Sequence, residues 1–474
     1  MKSQLLFEWV NRHVWLDGCD LETEFRQATE EGRDMSRVKK ECERLLAVPK
    51  PSPSWHNVVG GRRDEQWLAA AGRLVDKVQS LPYRRDYPYR EPSDLPSIQA
   101  YRPRAPKLKP WRGGRNAFEE KLHGGLLGRI CGCMLGKPVE GWRRASIRNY
   151  GEETGNWPLS NYFRLPKPAE WRRIRAAGPG DSMRKLNRRC LLDGMNGMVE
   201  DDDINYTTTG FAIVKKHGAN FTPLDVAAFW GANIPIFHTC TAERVAYRNF
   251  VMNILPPASA SYRNPYREWI GAQIRADYFG FANPGKPARA AEWAWRDACI
   301  SHIKNGIYGE MWVAAMLAAA YVEDDWLKII RAGLAQIPAR SRLREDVEII
   351  ITAYEAGASY ESAVDLVHSQ WDESSHHDWC HTNSNAQIVT IGLLYGEDDY
   401  SQTISRAVMP GFDTDCNGAT CGGLWGVKHG VRALPEKWTR PMRDTVRTGV
   451  DGFHEVKISE LARQMAVVAW ENQS

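Results

Sequence analysis

From residue 116 to residue 429 this chain reads as one helix-compatible segment after another, rich in Ala, Leu, Met and Trp and punctuated by Gly, Pro and Asn. Clear alternation of apolar and polar residues is nearly absent, so the pattern excludes a sheet-based domain and predicts an all-α, compact multi-helix fold. The spacing predicts helices over 116–136, 204–217, 223–231, 287–302, 307–321, 324–335, 360–368, 384–395, 401–408 and 417–429, with no repeat of fixed period. With 474 residues, 43% of them hydrophobic and 25% charged, the chain can bury a sizeable core, and disorder, collagen and coiled coil are excluded.

The first 115 residues read differently. Residues 1–47 look helical, with Leu5, Val10, Trp15, Val38, Cys42, Leu45 and Leu46 set among charges, and the three prolines of 48–54 mark a linker. An amphipathic helix is expected over 64–81, with Trp67, Leu68, Ala71, Leu74, Val75 and Val78 on one stripe. Seven prolines between Pro82 and Gly114 predict an extended segment lying on a neighbouring surface. The expected division is therefore a helical, Pro-rich extension over 1–115 and a catalytic domain over 116–474.

Sixty-two Lys and Arg against 58 Asp and Glu give a net charge of +4, which argues against a dedicated nucleic-acid or membrane binder. Ten cysteines without a CxxC pair read as reduced thiols of a cytoplasmic protein. Glu8, Asn11, Arg12 and His13 interrupt the apolar start before a signal sequence can form, and the apolar stretch Met311–Val322 is too short to span a membrane. Oligomeric state is left open. The 19 tryptophans suit core packing better than stacking on a base.

Three segments carry the chemistry. Glu200, Asp201, Asp202 and Asp203 are consecutive, and such a run repels itself unless it is solvated, neutralised or used to start a helix, where Asp caps well. Asp413 and Asp415 stand one residue apart in GFDTDCNG, an oxygen-rich arrangement that suits hard divalent cations. The run begins like a calcium loop, but Leu424 stands where that loop needs a bidentate Glu. Third, glycines at 124, 125, 128, 132 and 136 make a smooth helix face for close packing, with Glu140 following in the exit loop. No Ser or Thr follows Gly136 and Lys137, so this is not a phosphate loop.

In this order and spacing the three segments resemble the signatures of the ADP-ribosylglycohydrolase superfamily: a G-x-L-x-G-x-x-x-G-D-x-x-G-x-P-x-E opening, an S/T-D-D-T motif, and G-x-D-T-D-T before a small-residue helix. The resemblance covers about 116–435. It implies two divalent cations, magnesium or manganese, on Asp201, Asp202, Asp413 and Asp415, with Glu140 as the exit-loop glutamate that ligates metal or moves a proton. Cys133 stands for the Asp of the first motif, Glu200 and Asp203 for its hydroxyl residues in the second, and Cys416 for a metal-ligating Thr. A thiol is a softer ligand, which implies a weaker second metal position, a preference for manganese, or recruitment of Glu200. The implied metal set is thus Glu200, Asp201, Asp202, Asp413, Asp415 and Cys416, and the implied catalytic groups are Glu140, Asp202 and Asp415.

The resemblance extends more loosely to 271–280, where Ile270 occupies an Asn place, and to His302 on an expected helix; it implies substrate contacts by Gln273, Arg275, His302 and Asn305. A lone His on an Ala-rich helix is as commonly a core residue. His238, Thr239 and Thr241 precede a helix start that either receives a phosphate or is merely capped by the threonines. His377 and His381, four apart with Cys380 between, are a candidate zinc pair, but without the Glu of HExxH; His381, Thr382 and Asn385 read better as hydrogen-bonding groups near the acidic site. The implied activity is metal-assisted hydrolysis of the N- or O-glycosidic bond of a small-molecule or protein-linked ADP-ribose. Its rivals are hydrolysis of a smaller riboside and a non-catalytic, immunity-type ADP-ribose binder whose extension covers a partner or its own cleft.

Overall fold

The computed structural model describes residues 15–16, 19–47, 65–177 and 186–472, so the expectations for 1–14, the 48–54 linker and Asp64 lie outside it. Apart from one two-stranded ribbon, every regular element among the described residues is helical. The elements that build and support the site are α1 (Leu21–Glu30), α2 (Lys39–Leu46), α3 (Glu65–Gln79), α4 (Arg115–Gly136), α5 (Asp202–His217), α6 (Thr241–Val251), α7 (Pro287–Ala298), α8 (Lys304–Ala320), α9 (Arg342–Glu355), α10 (Thr382–Leu394), α11 (Thr414–His429) and α12 (Ile458–Glu471). Strands β1 (Thr445–Arg447) and β2 (Glu455–Lys457) pair antiparallel just before α12. Three residues each are too few to show alternation.

The architecture is set by a helix pair in backbone contact. Gly124, Gly128, Gly132 and Gly136 recur at i, i+4 along α4, and Thr414, Gly418, Gly422 and Gly426 do so along α11. A Cβ on Gly128 would lie 2.3 Å from the carbonyl oxygen of Gly422, and one on Gly136 would lie 2.2 Å from that of Thr414. The two helices therefore run antiparallel with no side chain between them. Each helical glycine costs about 1 kcal/mol relative to alanine, and close approach along three turns is the compensation. Every residue of α8 is buried, so the apolar Met311–Val322 stretch belongs to the core. No helix among the described residues is long and apolar enough to cross a membrane.

The expected 287–302 helix stops at Ala298, because the chain must reverse into α8; His302 sits in the intervening turn, donating its N–H to Ala298 O at 2.9 Å. Helix α9 is absent from the expectations, although Ser341 caps it and Leu343, Val347, Ile350 and Ile351 form its buried stripe. Between Pro82 and Gly114 the chain is largely extended across the helical body, as the prolines require, but it includes one short helix, Leu95–Ala100. Asp94 caps that turn through Ser97 N–H, and Pro96 falls in the first turn, where proline is tolerated.

Helices α1, α2 and α3 share small apolar clusters of their own, including Ala28, Val38, Leu74 and Val78. They attach to the rest through buried ions. Arg267 pairs with Glu24 at 2.6 Å and with Glu31 at 2.5 Å, and Gln27 donates to Glu268 at 2.7 Å.

Candidate functional site

The end of the glycine seam places the chemistry. Thr414 Oγ1 donates to Gly136 O at 2.9 Å, so the exit from α4 lies against the entrance to α11. Lys137 and Glu140 are thereby brought to Asp413 and Asp415. Gly411 and Phe412 both have positive φ, at 84° and 58°, which turns the chain so that Asp413 starts α11. Asn385, on α10, holds that turn: its Oδ1 accepts from Asp413 N–H at 3.1 Å and from Asn417 Nδ2 at 2.8 Å, while its Nδ2 donates to His381 O at 2.9 Å and Trp379 O at 3.0 Å.

The acidic run 200–203 is divided among four environments. Glu200 pairs with His238 at the protein surface. Asp201 caps α5, accepting from Asp203 N–H at 3.0 Å, and its other oxygen lies 2.6 Å from Lys137 Nζ. Asp203 is fully buried against Arg129 at 2.7 Å, and Arg129 also reaches Asp277 at 2.8 Å. Asp202, in the first turn of α5, feels the charges of Asp201, Lys137 and Glu140.

Two groups of closely spaced ligand atoms result, sharing Asp415. Cys133, Asp201, Asp203 and Asp415 form one, and Asp413, Asp415 and Cys416 the other, each with its ligand atoms within 4.8 Å of one another. Burial pushes Asp413 well above the usual carboxylate range, and Asp415 beside it adds to the shift. Asp202 is raised to about 7 by burial and by Asp201, and Glu140 to about 7 by burial and by Asp415. Burial acts to raise Asp201 too, but the Lys137 ammonium more than offsets it and leaves that group low. Glu140 keeps 38% of its side-chain surface exposed, which puts it at the mouth of this acidic floor.

Lys137 is the site residue that the sequence reading missed. Its ammonium lies 2.6 Å from Glu140, 2.6 Å from Asp201 and 3.2 Å from Asp415. The signal was present: a lysine three residues before a candidate catalytic glutamate, at the end of a glycine-rich helix.

Other expected site residues are held by the protein itself. Arg275 is buried among Glu243, Asp297 and Glu310 and lies against the Tyr206 and Trp230 rings, which stack on each other. Gln273 is the exception: it is buried beside Gly309 of α8, and neither its Oε1 nor its Nε2 has a hydrogen-bond partner. His302 contacts Ser301 Oγ, and burial holds its pKa well below the usual histidine range. Asn305 donates to Glu91 at 2.9 Å and to Glu268 at 2.8 Å. Thr239 closes its own turn by donating to Ile236 O at 2.6 Å, whereas His238 stays half exposed beside Glu200.

His377 and His381 converge on Glu30 of α1, at 2.9 and 3.7 Å through Nε2. Their Nδ1 atoms accept N–H groups from Trp269 and Asn383, at 3.1 Å in each case. Each ring must therefore carry its proton on Nε2; that of His377 is bonded to the carboxylate, whereas that of His381 has no hydrogen-bond partner. The pair is a clamp for the N-terminal helix, and a zinc ion at Nε2 would need the protons removed.

A search of curated proteins finds no match. Among solved structures the chain is similar to an "ADP-ribosylglycohydrolase-related protein complex", with 16% identity and a TM-score of 0.43, over 76% of this chain and all of the other. The family profile described as ADP-ribosylglycohydrolase matches residues 114–472. With the glycine seam, the Asp201 cap and the Asp413–Asp415 turn all inside that span, the chain belongs to the ADP-ribosylglycohydrolase family.

Proposed function

We propose that this chain is a divalent-metal-dependent hydrolase that cleaves the N- or O-glycosidic bond of an ADP-ribosyl conjugate and releases ADP-ribose, with residues 116–474 as the catalytic unit and 1–115 as an extension. The observation that carries the reading is the meeting of Asp201, Asp413, Asp415 and Glu140, from three separate segments, around one shared carboxylate. The donor set fits magnesium or manganese: oxygen-rich, anionic, and with Asp415 Oδ1 buried without a hydrogen-bond partner. Asp413, Asp415 and Cys416 would hold the metal, which supplies Lewis-acid stabilisation and a template for the ribose hydroxyls, with Asp201 and Asp202 completing the acidic floor beside them.

The chain's own groups account for the proton traffic. Water adds at the anomeric carbon as the bond to the acceptor breaks, so one proton must leave the water and one must reach the acceptor atom. Glu140 is suited to both transfers: raised to about 7, it is present in both forms near neutral pH, and it stands at the open edge of the floor. Lys137 orients it from 2.6 Å away. His238, held by Glu200 and half exposed, is placed to meet a phosphate or hydroxyl entering from the surface.

The test is release of free ADP-ribose from arginine-, serine- and nucleic-acid-linked conjugates and O-acetyl-ADP-ribose, with magnesium and with manganese, for the wild-type chain and for Asp413→Ala, Asp415→Ala. Metal-dependent release that the double variant lacks supports the reading. ADP-ribose binding without release points instead to a binding protein, and the absence of both release and binding points to smaller ribosides.

A further inference from the structure

The two ligand groups that share Asp415 are not equivalent. In the first, the carboxylates of Asp201 and Asp415 already have a cation between them, the Lys137 ammonium at 2.6 and 3.2 Å, and Glu140 closes the same ammonium from a third side at 2.6 Å. The same group also holds Cys133 and Asp203, and Asp203 is paired with Arg129 at 2.7 Å. In the second, Asp413, Asp415 and Cys416 lie within 4.8 Å of one another, and among the described residues no Lys, Arg or His forms an ion pair with Asp413. The Asp415 oxygen that Lys137 leaves free, Oδ1, is buried and has no hydrogen-bond partner.

An ammonium and a divalent cation seek the same carboxylate oxygens and repel each other at such spacing. Three carboxylates hold the Lys137 ammonium at 2.6 to 3.2 Å, and Pro138 and a three-residue 3-10 turn, Lys137–Val139, fix its backbone directly after α4. We propose that the Lys137 ammonium takes the place of one of the two cations implied by the sequence motifs, so that this chain binds a single divalent cation, on the Asp413, Asp415 and Cys416 side. Lys137 is then a positioning residue: it neutralises Asp201, holds Glu140 at the mouth of the site, and leaves Asp415 to bridge a fixed charge and an exchangeable one.

Because this assignment rests on the metal-dependent reading above, its test counts bound metal instead of turnover. The full-length chain, stripped with chelator, is titrated with Mn2+ alone, and free Mn2+ is followed by electron paramagnetic resonance. One Mn2+ per chain is expected for the wild type, with the spectrum of an isolated ion, and two for Lys137→Met. Lys137→Arg and Asp201→Asn should each keep one, whereas Asp413→Asn should lose it. Two coupled ions in the wild type, loss of binding in Asp201→Asn, or a single ion in a natively folded Lys137→Met would overturn the assignment while leaving metal dependence intact. No binding by the wild type would remove the metal reading itself, and this assignment with it.

Discussion

Gly132 and Gly418 approach so closely that a Cβ on the first would lie 2.0 Å from the carbonyl oxygen of the second. Gly132→Ala must therefore push two backbones apart, and overpacking of this kind costs about 3 kcal/mol or more. Gly231, also helical, has nothing within 4 Å of a built Cβ and no positive φ, so Gly231→Ala should stabilise by about 1 kcal/mol. Thermal denaturation of the two variants should move in opposite directions. Equal shifts would mean that the seam is looser than described.

Arg129 has 0% side-chain exposure, as do its partners Asp203 and Asp277. Arg129→Met would strand both carboxylates, at a cost of about 3 to 5 kcal/mol. Adding Asp203→Asn and Asp277→Asn should recover part of that loss. Urea unfolding of the single and triple variants measures it, and a single variant as stable as the wild type would contradict the buried pairing.

Asp346, on α9, accepts from Asn383 Nδ2 at 2.7 Å, yet burial raises its pKa from 3.8 to about 7. The folded pKa lies above the unfolded one, so this group supports folding fully below about pH 4, and the support is lost as pH rises through 7. Asp346→Asn should therefore unfold later than the wild type at pH 8, by about 1 to 2 kcal/mol after allowing for its partial exposure to solvent. At pH 4 the two should be alike, and urea midpoints at the two pH values decide it.

Asn385 touches no carboxylate of the site, but it fixes Asp413 N–H and Asn417 by accepting from both. Residues that orient metal ligands typically change affinity by about 10- to 100-fold when removed. Asn385→Ala should weaken Mn2+ binding by that order while leaving the helical content unchanged by circular dichroism. Undiminished affinity would mean that the Gly411–Phe412 turn holds Asp413 unaided.

Glu30 receives the Nε2–H of His377 at 2.9 Å, and His381 Nε2 lies 3.7 Å from the same oxygen. Glu30→Ala leaves the buried His377 N–H unanswered and removes the carboxylate that both imidazoles face, so α1 should detach first. Limited proteolysis is expected to cut within residues 31–47 faster than in the wild type while the remainder stays folded. An unchanged digestion pattern would show that the Arg267 ion pairs alone hold the extension.

The helical class, the bare glycine face of α4, and the candidate carboxylates at 140, 201, 413 and 415 were all legible in the sequence, because each is carried by local spacing. Periodicity sets a helix, a glycine every fourth residue sets a bare face, and D-x-D sets two acids on one turn. The partners of those groups were not legible. Whether Asp203 meets a metal or Arg129, and whether Arg275, His302, Asn305 and His381 meet a substrate or the protein's own buried network, depends on segments up to hundreds of residues away. Lys137 shows the limit best: as a residue it follows a glycine motif, and only the packing of α4 on α11 sets its charge between Asp201 and Asp415. Sequence spacing fixes which groups can share a face, whereas the neighbour that neutralises a buried charge is chosen by tertiary contact, since burial makes an unpaired charge too costly to leave alone.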